Sequence, residues 1–458
     1  MSALVSSPYW PFAVLIIGIV AVVVMISWLR FHPFVALILS AILVGLISVE
    51  LPGMGDRQHL VWAVELPMVE FGIVAGKIAW VIALAAVIGM AMMQSGAAQK
   101  IVNWLVTSLG EKRAAIALLI SGFVLSIPVF FDTVFFLLIP LAITLAKKTG
   151  KNFVLYVAAM GGGAAITHSL VPPTPGPLIM AETLNIDLGI TIIGGLAAGF
   201  LPAIATLVIS KRMNERLNIP PRTAITTPAD EKHGPSLGWS LMPVVIPIVL
   251  ISLVSVTGVL AGNVPGWMAF WGNKNIAMGA GTAVALVLWL KHGQLSSAEL
   301  WKAVGEPLQI AGIIILITSA GGAFGAMIKH SGIGTAIEVL TGDFSISYIV
   351  LAWLIAAVMK TAQGSSTVAM ITTSSIMLAL MDAGVELPYH PIYILLAIGF
   401  GALFISWMND SGFWVVAKMS GFTESEALKT WTVLLAALSL VGLAQVLVFS
   451  WLLPFSGS

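Results

Sequence analysis

The chain has 458 residues, of which 59% are hydrophobic and only 9% charged, with Lys+Arg 21 against Asp+Glu 20. A soluble domain carries about 25% charged residues, so too little polar surface exists here to cover a globule in water, and the composition is that of a multi-span membrane protein. The balanced charge gives no electrostatic case for a nucleic-acid partner, and the absence of Cys excludes disulfides, thiolate metal sites and iron-sulfur clusters.

About 20 apolar residues cross about 30 Å of hydrocarbon. Runs of that kind place spans over 11–29, 33–50, 72–93, 153–180, 189–210, 240–260, 276–291, 307–328, 392–417 and 430–453. The first lacks a basic n-region and a small-residue cleavage site, so it reads as a retained helix rather than a signal peptide. Stretches 113–147 and 345–383 each hold two apolar arms around a polar centre, Phe131-Asp132-Thr133 and Lys360 to Thr367. Polar backbone at membrane depth survives only where protein or a water-filled cavity shelters it, so both are expected to be re-entrant hairpins or broken helices. With the N-terminus outside, this topology gathers most of the 21 basic residues on the cytoplasmic face and leaves both termini periplasmic. Reading 113–147 as two full spans would instead put Lys147, Lys148 and Lys151 opposite Lys112 and Arg113. The polar segment from Lys211 to Ser236, with Pro220, Pro221, Pro228 and Pro235, reads as a cytoplasmic linker. It divides the chain into halves 1–210 and 239–458, joined by 211–238. Trp28, Trp62, Trp267, Trp271, Trp301, Trp431 and Trp451 lie near span ends and read as interfacial anchors.

The halves match at a nearly constant offset. Gly89 to Gly96 aligns with Gly325 to Gly332, Asp132-Thr133-Val134 with Ser366-Thr367-Val368, and Ser169 to Pro175 with Ser406 to Gly412. In the charge-derived topology the spans before Gln94 and Lys329 run in opposite directions, so the repeats are expected to be inverted. Inverted repeats with discontinuous helices mark secondary transporters, which bind substrate near the midplane; water channels share the symmetry. The fold expected is all-α and polytopic, with a re-entrant hairpin and a broken transmembrane helix in each repeat.

Intramembrane ionisable groups are costly, so each raises a functional question. Asp132 sits among Phe130, Phe131, Phe135 and Phe136 and reads either as a proton carrier or as a helix cap at the hairpin turn. In the first broken helix, Pro172, Pro173, Pro175 and Pro177 free backbone carbonyls, and Thr167, His168, Ser169 and Thr174 supply groups for a hydroxylated ligand; a structural kink with His168 satisfied in the core is the alternative. Lys360, Gln363, Gly364, Ser365, Ser366 and Thr367 form a polyol and carboxylate site at the second hairpin, unless Lys360 pairs with Asp132 or Asp410. Asn409 and Asp410 coordinate a cation or cap the second half-helix. No Walker A sequence, His-Glu-x-x-His or Gly-x-Ser-x-Gly is present, so ATP drive and the corresponding hydrolases lack their usual residues.

Thr167-His168 followed by Pro172-Pro173-x-Pro175-Gly176-Pro177, Gly364-Ser365-x-Thr367-Val368-Ala369, and Asn409-Asp410-x-Gly412-Phe413-Trp414 resemble the gluconate permease family of proton symporters, within the wider ion transporter superfamily. The similarity covers nearly the whole chain. It implies a bacterial inner-membrane carrier of small hydroxylated acids, with relatives that carry D-serine, and no cofactor. It also implies an elevator mechanism in a homodimer, elements 113–180 and 345–420 moving against a scaffold formed by the remainder. The chain departs from the family pattern in having Asp132 for Glu, Lys360 for Arg, Thr174 for His, Ser366 for Ala, Gln363 for an apolar residue and Ser411 for Pro. The expected function is proton-coupled uptake of gluconate or a related hydroxycarboxylate. Asp132, His168 and Asp410 are the proton-coupling candidates. Thr133, Thr167, His168, Ser169, Thr174, Lys360, Gln363 to Thr367, Asn409 and Ser411 are the substrate candidates. No metal site is expected. Sodium coupling, a D-serine-type permease and a channel or facilitator are the alternatives.

Overall fold

The computed structural model describes residues 9–222, 234–333, 347–381 and 387–455. Among them every regular element is helical. In the first half α1 (Trp10–Val23) runs into a π-helical turn, followed by α2 (Pro33–Ile47), α3 (His59–Gln94), α4 (Ala97–Leu109), α5 (Ala114–Leu125), α6 (Phe131–Thr149), α7 (Phe153–Leu170), α8 (Pro175–Thr183) and α9 (Leu188–Leu217). The second half contains α10 (Leu237–Ala261), α11 (Gly266–Trp271), α12 (Lys274–His292), α13 (Ser297–Ala303), α14 (Gly305–His330), α15 (Tyr348–Gln363), α16 (Ser366–Met381), α17 (Ile392–Gly401), α18 (Ser411–Ser420), α19 (Glu424–Ala427) and α20 (Val433–Leu452). A π-helical turn, Leu428–Thr432, joins the last two.

Among the described residues six helical segments are long and apolar enough to cross a membrane, which makes the chain a multi-pass membrane protein. Helices α2, α3, α10, α12 and α14 pack into one group, with α1 against α2. Helices α5 to α8 and α15 to α18 form another, joined to the first where α16 packs on α14 and where α9 lies between α7, α10 and α20. Burial follows this arrangement. The apolar window across α7 and α8 is 89% buried, whereas that of α10 is 22% buried, so α7 is enclosed by protein and α10 presents its side chains outward. Close approach allows that enclosure: Gly122 of α5 lies against the Met160 carbonyl and Gly163 of α7 against the Leu119 carbonyl, with no room for a Cβ at either.

Several boundaries differ from the sequence expectation. The first polar centre, Phe131-Asp132-Thr133, is not a break; helix is interrupted at 126–130 and Phe131 already starts α6. The second interruption is only Gly364 and Ser365, so Lys360 and Gln363 belong to α15. In the first broken helix the interruption covers 171–174, and Pro175 opens α8, where proline's missing N–H costs nothing. Helix α9 runs to Leu217, past the expected start of the linker, and residues 223–233 of that linker, including Pro228 and Lys232, lie outside the described residues. Helix α3 begins at His59 and has 36 residues, about 54 Å at 1.5 Å per residue, more than one bilayer core. Helix α4 forms no apolar run because it is amphipathic: Ala98, Ile101 and Val102 are buried while Gln99, Lys100 and Asn103 are exposed. Trp62 and Trp431 are not interfacial anchors, being 8% and 3% exposed; Trp28, Trp267, Trp271, Trp301 and Trp451 are exposed.

Candidate functional site

Helix α15 stops because Gly364 takes φ +89°, a left-handed conformation that closes the helix and suits glycine. A Cβ at Gly364 would collide with the carbonyl of Asn409, so the turn and the second break touch backbone to backbone. The last carbonyls of a helix need donors from elsewhere. Here Asn409 Nδ2 donates to the Thr361 carbonyl at 2.9 Å and the Ala362 carbonyl at 3.2 Å, and Trp407 Nε1 donates to the Thr361 carbonyl at 2.8 Å. Across the turn, Ser365 Oγ accepts from the Val368 N–H at 3.3 Å and so caps α16.

Within this junction lies an ion pair. Lys360, 1% exposed, donates from Nζ to Asp410 Oδ2 at 2.6 Å and to the Gly364 carbonyl. Asp410 Oδ2 also accepts from Ser406 Oγ, and Oδ1 accepts from the Gly412 N–H at 3.0 Å, capping α18. Lys360 therefore pairs with Asp410, and Asp410 serves as a cap at the same time. Ser406 is held in turn, its Oγ accepting from Trp431 Nε1 at 3.0 Å and its carbonyl from Thr432 Oγ1. Ser406, Trp431 and Thr432 were not among the sequence candidates. Ser406 heads the stretch that aligns with Ser169, which was a usable signal; an indole at the start of a long apolar run resembles an interfacial anchor, so Trp431 had none.

The first half approaches the pair from the other side. Asp132 lies in the first turn of α6, where the helix N-terminus favours a carboxylate, but no side chain caps that end. Helix α18 packs on α6, and Asp132 and Asp410 are close enough to repel one another. His168, near the end of α7, is within electrostatic reach of both Lys360 and Asp410, and its Nδ1 is enclosed without a hydrogen-bond partner. Ser169 Oγ and Gln363 Oε1 are likewise buried and unpartnered, while Gln363 Nε2 reaches the Ser365 carbonyl at 3.4 Å. The hydroxyls of Thr167 and Thr174 are used locally, bonding the carbonyls of Gly163 at 3.3 Å and Val171 at 2.6 Å. Thr174 also lines a narrow, mostly apolar cleft between Ile127 to Phe130, Pro173 to Pro175 and Ile82 and Ala85 of α3. Thr133, Ser366 and Thr367 are half-buried, and Asn409 and Ser411 are exposed. Among the described residues no group of three or more His, Asp or Glu could hold a metal ion.

Buried charge at the meeting point of interrupted helices, inside a multi-pass bundle, is the arrangement of a membrane carrier. The chain belongs to the GntP permease family, whose profile, described as GntP family permease, matches residues 10–452. It is 32% identical over 449 residues to the gluconate permease of Pseudomonas aeruginosa, covering 96% of this chain and 97% of that protein. It is 28% identical to the Gnt-II system L-idonate transporter of Escherichia coli, covering 95% and 98%, and 30% identical to the D-serine transporter DsdX of the same organism, covering 98% and 100%. Two solved transporter structures share the fold: MtrF of Neisseria gonorrhoeae, with a TM-score of 0.68 at 16% identity over 95% of this chain and 97% of that one, and YdaH of Alcanivorax borkumensis, with 0.67 at 17% over 95% and 99%. The protein is thus a transporter of the GntP family and not an enzyme.

Proposed function

We propose that the protein is a proton-coupled importer of gluconate or a closely related hydroxycarboxylate, working by an elevator movement of two inverted repeats in the bacterial inner membrane. The observation that carries this reading is the buried Lys360–Asp410 pair at the start of α18, which packs on α6, the helix whose first turn holds Asp132. Lys360 and Asp410 neutralise each other, so an ionised Asp132 leaves the site with net negative charge and repels an organic anion. A proton on Asp132 removes that repulsion, which makes proton and anion binding cooperative. Both oxygens of Asp410 already accept hydrogen bonds, whereas none reaches the Asp132 carboxylate from the described residues, so Asp132 is the better proton carrier. The remaining Lys360 proton, the N-terminal ends of α16 and α18, and the unpartnered atoms of His168, Ser169 and Gln363 receive the ligand's carboxylate and hydroxyls.

The packing supports the repeat and hairpin reading. The second arm of each hairpin lies against the second piece of the opposite broken helix, α6 on α18 and α16 on α8. Helices α5, α15 and α16, of 12, 16 and 16 residues, reach about 18 to 24 Å, short of about 30 Å of hydrocarbon. Relatives named gluconate permease and L-idonate transporter support an aldonate as substrate, and one named D-serine transporter supports D-serine as the alternative. Periplasmic termini and a homodimer complete the proposal. Uptake of labelled gluconate into proteoliposomes under separate proton and sodium gradients tests it. Proton-driven uptake that Asp132→Asn uncouples is the expected result; uptake driven by sodium alone, or proton-driven uptake unchanged in Asp132→Asn, would overturn the coupling scheme.

A further inference from the structure

The Lys360–Asp410 pair is not self-supporting. Asp410 lies in the interruption at 402–410, where no helical ladder fixes its backbone. Its N–H donates to the Trp407 carbonyl at 2.9 Å, and Asn409 and Trp407 tie the same segment to α15; a further tether, aimed at the carboxylate itself, comes from the π-helical turn Leu428–Thr432. Successive side chains on a regular α-helix point about 100° apart, so two neighbours seldom serve one partner. In this turn Trp431 and Thr432 do: the indole N–H takes the Ser406 hydroxyl at 3.0 Å, and the Thr432 hydroxyl takes the Ser406 carbonyl. Widened π-turns recur at functional positions for this kind of reason. With its oxygen accepting from Trp431, Ser406 has its own proton left for Asp410 Oδ2, the oxygen that also receives Lys360.

The ring of Trp431 is anchored in the other half of the chain. It lies 5.4 Å from Phe131, centroid to centroid, beside Asp132, and against Gly161 of α7, where a Cβ would stand 2.8 Å from the indole. Trp431 is 3% exposed and Ser406 fully buried, so neither is placed to serve as a surface anchor or a solvent contact.

We propose that Trp431, acting through Ser406, is a positioning residue that sets the Asp410 carboxylate against Lys360 from an anchor in the opposite half of the transporter. The proposal rests on the reading of Lys360 and Asp410 as the charged part of the substrate site. Neither Trp431 nor Ser406 need touch the substrate.

The test is a double-mutant cycle on gluconate uptake in proteoliposomes. Trp431→Phe keeps a ring against Phe131 and Gly161 but deletes the N–H; Ser406→Ala deletes the hydroxyl that both bonds share. Each single variant should raise KM about tenfold, the equivalent of one hydrogen bond to a charged group, with a maximal rate changed less than about twofold. The double variant should be no worse than the poorer single one, because both break the same chain of bonds. If Trp431 only fills space, its effect will add to that of Ser406→Ala, or Trp431→Phe will keep the native KM; either outcome overturns the proposal. Should Ser406→Ala fail to express, Ser406→Gly, which deletes the same hydroxyl, takes its place in the cycle, with the same non-additivity expected. Native protein that takes up no gluconate would count against the proposed function instead, so the two failures are distinguishable.

Discussion

Neutralising Asp410 should cost more stability than removing Lys360, and removing both should cost less than the first change alone. Lys360 is 1% exposed and its ammonium has two acceptors, Asp410 Oδ2 and the Gly364 carbonyl. In Asp410→Asn the ammonium stays buried with one neutral acceptor beside it, and breaking a buried pair from one side costs about 3–5 kcal/mol. In Lys360→Met the stranded carboxylate is better placed. It is 12% exposed, keeps the Ser406 hydroxyl and Gly412 N–H as donors, and stands at the N-terminus of α18. About half the penalty, roughly 1.5–2.5 kcal/mol, is expected there. Lys360→Met/Asp410→Asn buries no net charge and keeps the cap acceptor, so its loss should fall to about 1–2 kcal/mol. Thermal unfolding of the four purified proteins in detergent measures the order, and gluconate uptake should be lost in all three variants. Equal destabilisation by the two single changes, or losses that simply add in the double variant, would refute the account of a buried and mutually dependent pair.

Gly364→Ala should abolish uptake and destabilise by more than about 2 kcal/mol, since a left-handed non-glycine residue costs about 1–2 kcal/mol and the new Cβ also strikes the Asn409 carbonyl. Gly364→Asn, which tolerates the same φ, should not rescue it; uptake by the Asn variant would show that conformation alone matters. On the exposed rim, Arg222 holds Glu426 through two hydrogen bonds of 2.6 and 2.7 Å, and these pull the Glu426 carboxyl down to about 2 from 4.5. A depressed carboxyl pKa stabilises above the unfolded value and loses that contribution as pH falls through the folded one. The stability difference between the native protein and Glu426→Gln should therefore be small at neutral pH, because solvent and salt screen the pair, and should vanish between pH 4.5 and about 2. Finally, Glu182 of α8 is ion-paired with Lys274 of α12, one on a proposed moving element and the other on the proposed scaffold. The native chain has no Cys, and two long side chains span the Glu182–Lys274 pair, so a cleavable bis-methanethiosulfonate linker, rather than a direct disulfide, is suited to join Glu182→Cys to Lys274→Cys; crosslinking should arrest uptake and a reductant restore it. Undiminished uptake by the fully crosslinked protein would mean that α8 and α12 do not part during transport.

How far the fold could be read depended on whether each interruption carries a chemical mark. The Pro172 to Pro177 cluster and the polar run around Gly364 were visible, and both proved to be real breaks, narrower than expected because proline is welcome at a helix start and because Lys360 to Gln363 complete a helix whose end Asn409 and Trp407 satisfy. The first interruption lies a few residues before the polar centre for the opposite reason. That segment, Ser126-Ile127-Pro128-Val129-Phe130, is almost wholly apolar, so hydropathy drew attention to Asp132, which lies just inside the next helix. Of the candidate residues, Lys360, Gly364, Asn409 and Asp410 converge, and the pairing of Lys360 with Asp410 was one of two alternatives that charge alone had left open. Ser406 is marked by its alignment with Ser169, but Trp431 and Thr432 are illegible because their part depends on a π-turn, a backbone detail that residue types at the start of an apolar run do not announce.

The two halves carry unequal charge at their junction, and that inequality is what the proposed proton coupling needs. A site holding only the Lys360–Asp410 pair would bind an anion or release it with no regard to protons, because the pair is neutral as built and its oxygens are already committed. A site holding only Asp132 would reject the anion whenever it was ionised. Placed across one junction, the pair supplies fixed donors while the lone carboxylate sets the condition under which an anion is tolerated. The proposed repeat alignment puts Ser366 where the first half has Asp132, so the proposed second hairpin lacks the equivalent carboxylate and contributes the cation of Lys360 from α15 instead. In the proposed scheme, divergence of the two repeats at these positions makes the charge arrangement asymmetric, and the proposed proton-linked binding rests on that asymmetry rather than on either half alone.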